Sequence, residues 1–372
     1  MTFLLDDEQH EFGRTLDRML SAADVAGAVR AWGADDTGPG RKVWQRLADA
    51  GVFALAVPEE YGGAAPDGHK GAPQDGRCGE APVGNDGAAP EGYRASGLLP
   101  LLTVEMSLAF VVLGCHAMPG PVVETVAAAA LLRRLDDPAL NRRWLPGIAT
   151  GGHLVSYTDQ AHGPYALDAA AADTRFVIMD DRLLCAAGHG PVQPSLDPAR
   201  RLARPALDDE VLASGPEVRA AAAHAADVAA LLTAAQALGV GRRLLADTIT
   251  YVQQRKQFGV AIGSFQAVKH RLADALLALE FAQPLVFAAA VALAGGERRA
   301  HGERRTRGDV AAAKVAAGEA AYGAARTALQ LHGAVGYTEE LDLSLWIRKA
   351  RALRSAWGTP SACRARVLAG AP

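Results

Sequence analysis

A mostly helical α+β fold is expected from three features of the chain. Alanine-rich apolar stretches with helical spacing occupy both ends. β-Branched apolar segments are confined to about 153–215. After Pro216, Leu231, Leu238, Leu245 and Val252 recur every seventh residue, the stripe of a bundle helix. With 372 residues the chain is longer than one core usually spans, so two or three subdomains are expected.

Asp6, Asp7 and Glu8 favour a helix N-terminus near the start, and Phe12, Leu16, Met19 and Leu20 give residues 3–20 a helical period. A second helix is predicted over 41–50, with Val43, Trp44 and Leu47 on one face. Pro58 and the Gly62–Gly63 pair then end regular structure. Residues 64–96 are rich in Gly, Pro, Ala and Asp, with almost no large apolar side chains. They read as a flexible surface insertion that cannot bury enough surface to offset its ordering entropy. Helices resume near 97, break at Pro119 and Pro121, and close an N-terminal helical domain of residues 1–152. Segments 153–160, 174–186 and 210–215 are strand-like and make an abbreviated β domain over 153–215. From 216 to 372 a helical bundle is expected, with later helices over 264–294, 307–332 and 341–356. Gly239 and Gly241 would let its helices approach closely.

A net charge of −3 and a pI near 6.4 give no reason to expect nucleic acid or an anionic membrane as partner. Cys78, Cys115, Cys185 and Cys363 are scattered without a CxxC spacing, which leaves zinc and redox-dithiol readings unsupported; no metal site is expected, and reduced thiols suit a cytoplasmic protein. No basic n-region precedes an apolar run at the N-terminus. The apolar runs near 228–241 and 281–295 fall short of the roughly 20 residues of a membrane span and suggest closely packed buried helices.

Two stretches carry the chemistry. Arg255–Gly259 through Phe265–Gln266 sets a cation and an aromatic at a helix end, then a glycine-marked turn into a second helix. Gln330–Thr338 is a polar and glycine cluster at the end of an alanine-rich helix. A fixed Arg and an amide suit a phosphate-bearing cofactor, and glycine admits a ligand close to the backbone. The same residues equally suit a helical hairpin with a solvated Arg and a C-capping Gly.

The stretches RKQFGVAIGSFQAVKHRLADALLALE and LQLHGAVGYTEELDLSLWIRKARAL resemble the flavin-contact segments of acyl-CoA dehydrogenases, and the phrase VPEEYGG resembles that family's N-terminal domain. The resemblance implies the acyl-CoA dehydrogenase fold: an N-terminal helical domain, a reduced middle β domain and a C-terminal four-helix-type bundle. It implies FAD as cofactor, with Thr158, Arg255, Phe258, Gln266, Gln330, Gly333 and Thr359 at flavin-contact positions and Ala334 replacing a second glycine. The Thr-Glu-Pro-Gly phrase of the family reads Thr158-Asp159-Gln160-Ala161 here. The tryptophan strand that covers the flavin ring has no counterpart, since no Trp lies between Trp144 and Trp346.

The implied reaction is α,β-desaturation of an acyl thioester on CoA or a carrier protein. It needs a carboxylate base in a dry pocket and donors on the thioester oxygen. The family's glutamate phrase reads Ser355-Ala356-Trp357-Gly358-Thr359 here, so the base position is Trp357, whose indole can only donate. The backbone N–H of Trp357 and the turn at Gly358 remain available to a substrate. The family's second base position falls on Ala229, next to Ala230, and Asp227 lies about 200° around the helix from it. Glu339 and Glu340 read as structural or solvent-facing. The resemblance therefore extends to heterotetramers in which one small subunit lacks the base, as in steroid side-chain and dicarboxylate degradation. It implies a homo- or hetero-oligomer, a dimer of dimers with an acyl-CoA dehydrogenase partner, and an electron-acceptor flavoprotein. Trp357 would fill much of an acyl pocket. Three other readings stay open: a solo homologue in secondary metabolism with non-standard chemistry such as cyclisation or dehydration, a non-catalytic structural subunit, and an unrecognised base elsewhere in the same chain.

Overall fold

The first helix begins where side chains replace its missing backbone partners. Asp6 accepts from the Gln9 backbone N–H at 2.8 Å, and the Gln9 side chain answers from the Asp6 N–H at 3.1 Å, so α1 runs Asp7–Ser21. The computed structural model describes residues 5–64, 102–206, 210–295 and 300–370. The expected insertion at 64–96 lies outside these residues except for Ala64.

A helix the sequence reading missed, α2 (Val25–Gly33), follows α1. Asp24 caps it through the Gly27 N–H at 2.8 Å, and Val25, Ala28, Val29 and Trp32 form its buried face. α3 covers Gly38–Asp49, starting with Pro39 in its first turn and so earlier than 41. The next stretch gives three helices: α4 (Thr103–Cys115), α5 (Val122–Leu135) and α6 (Pro138–Ala149). The prolines make the first break. Asp136, with left-handed backbone (φ 53°), and Asp137, capping Ala139 at 2.7 Å, make the second.

The β segment comprises β1 (Val155–Asp159), β2 (Ala166–Leu167), β3 (Thr174–Met179), β4 (Arg182–Cys185), β5 (Gly188–His189), β6 (Leu202–Ala203), β7 (Pro205–Ala206) and β8 (Glu210–Ser214). Its main sheet has the order β1-β3-β4-β8, with β1 and β3 parallel and the other pairs antiparallel; β2 pairs with β6 and β5 with β7. Thr125 fastens α5 to β1, donating to the Val155 carbonyl at 2.9 Å and accepting its N–H at 3.1 Å.

The C-terminal part is built on α7 (Pro216–Gln254), a 39-residue helix packed against α4 and α5. A hairpin of β9 (Lys256–Gln257) and β10 (Val260–Ala261) leads to α8 (Gln266–Gly295), α9 (Ala300–His332), α10 (Leu343–Leu353) and α11 (Pro360–Gly370). Leu231, Leu238, Leu245 and Val252 are all buried. Where α4 crosses α7, a Cβ on Gly239 would lie 1.9 Å from the Val111 carbonyl oxygen, and one on Gly114 would lie 2.0 Å from that of Gln236. Only hydrogen fits on either side, so the backbones touch. One hydrophobic cluster runs from Leu16 through Phe176 to Leu353.

The expectation for the two apolar runs needs correction. Both belong to longer helices, and α7 and α8 are each long and apolar enough to cross a membrane by length and composition. The most apolar stretch of α7 is 89 % buried inside the protein, whereas that of α8 is 39 % buried. The reason is one-sided packing: α9, α4 and α7 cover one side of α8, while Leu276, Leu277, Phe281, Leu285 and Val291 stay exposed.

Candidate functional site

A cavity of about 490 Å³ opens between α5, β1, the segment before β6 and the end of α10, a size suited to a small-molecule ligand. Glu124, Tyr157, Thr158, His162, Arg200 and Trp357 line it. The end of α10 is fixed from beneath by Lys314, buried on α9, whose ammonium donates to the carbonyls of Leu353 (2.9 Å) and Arg354 (3.2 Å). Burial lowers the Lys314 pKa to about 8. Lys349 on α10 forms a buried ion pair with Asp197 at 3.3 Å, and Asp197 in turn orders the Ala199–Arg200 turn through bonds of 3.1 and 2.9 Å. The guanidinium of Arg200 pairs with no acid among the described residues.

Trp357 sits at the centre of one wall in left-handed backbone, φ 52°, followed by Gly358 at φ 136°. Such a conformation costs a bulky residue on the order of 1–3 kcal/mol and persists only when its surroundings hold it. The indole lies parallel to Tyr157, ring centroids 5.4 Å apart, and its N–H donates to Glu124 Oε1 at 3.0 Å. The backbone N–H of Trp357 has no acceptor among the described residues. The expectation that Trp357 fills the pocket is corrected: the ring lies flat along the wall against Tyr157, and the cavity remains beside it.

Glu124 is 3 % exposed, on the first turn of α5. Burial pushes its pKa up; the Arg200 charge and the Trp357 hydrogen bond act against that shift. Sequence reading passed over it, although a carboxylate inside the apolar run VVETVAAAALL was the available signal. His162 and Arg200 were missed as well, because the short 3-10 turn and the loop that carry them have no periodicity. Thr158 lines the cavity, with its hydroxyl directed to the Tyr165 carbonyl at 3.2 Å. The Thr359 hydroxyl caps α11, accepting from the Ala362 N–H at 3.2 Å. A Cβ on Gly358 would meet Cys363 Sγ at 2.6 Å.

Ala229 is wholly buried in the main core, and Ala230 beside it is 2 % exposed. Asp227 faces a different cavity of about 650 Å³, where it pairs with Arg307 at 3.2 Å and burial raises its pKa to about 6. His162 borders both cavities and contacts Arg366 at 3.1 Å. Glu339 pairs with Arg348 at 2.7 Å on the surface, and Glu340 is exposed.

The remaining cofactor candidates lie elsewhere. Arg255, Phe258, Gln266, Gln330 and Gly333 are all exposed, and none lines the cavity with Thr158 and Trp357. Phe258 is 92 % exposed at φ 53° and meets Phe265 edge-on at 6.3 Å. Gln330 accepts from Arg271 at 2.5 Å. Gly333 (φ 65°) has nothing within 4 Å of where a Cβ would stand, so its backbone is approachable from outside. The guanidinium of Arg255 has no acid partner among the described residues. A free guanidinium, an exposed ring, amide side chains and open glycine backbone fit the phosphates and polar edges of FAD.

Comparison with known proteins agrees with this architecture. Residues 6–70 match the acyl-CoA dehydrogenase N-terminal domain, and residues 219–370 match the acyl-CoA dehydrogenase C-terminal domain. The acyl-CoA dehydrogenase IpdE2 of Mycobacterium tuberculosis is 29 % identical over 358 residues, 92 % of this chain and 91 % of that protein. Among solved structures, a chain of the ChsE4–ChsE5 complex from Mycobacterium tuberculosis superposes with a TM-score of 0.75 at 22 % identity, covering 100 % of both chains. Butyryl-CoA dehydrogenase from Megasphaera elsdenii gives 0.75 at 19 % identity, covering 99 % of both. The two domain matches together take in more than half of the sequence, in the order and spacing the fold requires, and the chain belongs to the acyl-CoA dehydrogenase family.

Proposed function

We propose that the chain is a subunit of an acyl-CoA dehydrogenase-type flavoprotein that desaturates an acyl thioester between its α and β carbons. It lacks the glutamate usual for the family and completes the FAD site of a partner chain. The observation that carries this reading is the division of the site candidates: Thr158, for the cofactor, and Trp357, for the substrate, line the inner cavity, while the cofactor candidates Arg255, Phe258, Gln266, Gln330 and Gly333 face outward. An outward set suits a cofactor held mainly by a neighbouring subunit. The uncovered apolar face of α8 supports burial against another chain. FAD, when bound, supplies the acceptor for the β-hydrogen as hydride. This chain's residues supply a guanidinium for the phosphates from Arg255, the exposed ring of Phe258, and amides from Gln266 and Gln330.

The test compares the protein purified alone with the protein co-expressed with an acyl-CoA dehydrogenase chain. The lone protein is expected to be nearly colourless and to turn over acyl-CoA slowly with an artificial electron acceptor. The co-expressed pair is expected to show a flavin spectrum. Robust turnover by the single chain would overturn the subunit reading.

Within the pair, Arg255→Ala is expected to weaken flavin retention by about 1.5–3 kcal/mol, through loss of a charge-assisted phosphate contact. That is roughly a 10- to 100-fold rise in the flavin Kd, read as flavin remaining after gel filtration. Unchanged flavin content would make Arg255 a surface residue only.

A further inference from the structure

The cavity described above holds no carboxylate at either position where the family usually keeps its base, yet it does hold one. Glu124 is the single carboxylate among the described residues lining it, and it comes from α5, a different element. Its placement has the features of a proton acceptor. The group is 3 % exposed yet borders open space of about 490 Å³. One oxygen is held by the Trp357 indole at 3.0 Å, which fixes the carboxylate in place and leaves the second oxygen uncommitted to that bond. The Trp357 backbone N–H, without an acceptor among the described residues, belongs to the residue that holds it. The left-handed backbone of Trp357 is maintained by the Tyr157 stack and the Glu124 bond, and strain of this kind clusters at working sites.

We propose that Glu124 is the proton acceptor of this cavity, taking the α-proton of an acyl thioester bound there. The proposal rests on the acyl-thioester reading given above. In the step, the Cα–H bond breaks, its electron pair moves into the thioester carbonyl to form an enolate, and the proton goes to the Glu124 carboxylate. The reverse step returns a proton from Glu124 to Cα. No oxidant is consumed, so in deuterium oxide the net result is replacement of the α-hydrogens by deuterium. Burial raises the pKa of Glu124 and so strengthens it as a base. The charged and titratable groups around it are Arg200 from the segment before β6, Lys349 and Arg351 from α10, Asp168 after β2, and Tyr157 and His162 at and beyond β1.

The competing account makes Glu124 a latch that only holds Trp357 in place. Glu124→Gln separates the two, because glutamine keeps an acceptor oxygen for the indole but takes up no proton at Cα. The experiment first measures binding of butyryl-CoA and octanoyl-CoA to the purified protein by calorimetry. It then follows deuterium entry at Cα by mass spectrometry in deuterium oxide, without an electron acceptor. The expected result is exchange by the wild type and exchange at least about 100-fold slower in Glu124→Gln, with thioester binding and melting temperature unchanged. Trp357→Phe, which removes the donor to the ionised carboxylate, is expected to move the midpoint of the exchange–pH profile upward, a shift that a latch would not produce. Binding of thioester with exchange that is absent, or equally fast in Glu124→Gln, overturns the proposal and leaves the subunit reading standing. Failure to bind either thioester overturns the proposal alone, because the subunit reading places the reacting thioester at the partner chain's site.

Discussion

Lys349→Met is expected to destabilise the protein by about 3–5 kcal/mol and to lower Tm by roughly 4–6 °C. The ammonium of Lys349 and the carboxylate of Asp197 are both buried, 3.3 Å apart. Methionine matches the length of the lysine stem but leaves Asp197 charged in a dry interior. The loss propagates to the cavity, because Asp197 accepts from the Ala199 N–H and its carbonyl accepts from the Arg200 N–H. Adding Asp197→Asn keeps a cap for that turn while removing the stranded charge, so the double variant should recover most of the lost stability. Thermal and urea unfolding of the two variants check both statements. Equal stability of single and double variants would show that the charge on Asp197 is not the source of the cost.

Asp168→Asn should change how stability depends on pH. Asp168 is wholly buried, with φ 54°, and accepts from the Trp32 indole at 2.9 Å. Burial, reinforced by the nearby Glu124 charge and opposed by the Trp32 hydrogen bond, raises its pKa to about 7. The folded-state pKa thus lies above the unfolded value, so between about pH 4 and 7 the native state holds a proton that the unfolded state has lost. That contribution is complete below the unfolded pKa and disappears as pH rises through 7. Asparagine accepts from the indole, tolerates left-handed backbone and does not titrate. Relative to wild type, the variant should therefore gain about 3 kcal/mol between pH 5 and pH 8. Parallel unfolding series across that range check it, and parallel curves would show that Asp168 does not change protonation there.

Much of the fold was legible because its helices advertise themselves. The Leu231-to-Val252 stripe and the proline break between α4 and α5 follow from period and backbone chemistry alone. α2 was missed because its polar neighbours are few and its buried face is mostly alanine and valine, which gives weak contrast. The division of α8 into a packed and an uncovered side was not legible either, since its apolar residues run around the whole circumference. At the site, Trp357 was found by its place in a phrase. Glu124 was not, because its one local signal, a carboxylate in an apolar run, is also what an ordinary favourable charge on a first helical turn gives. Its meaning comes from an indole more than two hundred residues away in the chain.

The contact of α4 with α7 has a mechanical consequence. At 39 residues, α7 is roughly 58 Å long, and it carries Ala229 on one side of the Gly239 notch and delivers Arg255 on the other. A notch that admits only hydrogen indexes the shaft, setting its rotation and its axial position together. The cavity at Asp227 and the outward hairpin are then two stations on one rigid axle, held at a constant phase whatever the loops between them do. One residue inserted between Gly239 and Gln254 would turn the hairpin by about 100° relative to the core. It would point Arg255 in a different direction while leaving the N-terminal half of the protein undisturbed. Spacing along this helix is therefore as much a part of the outward site as the residues that compose it.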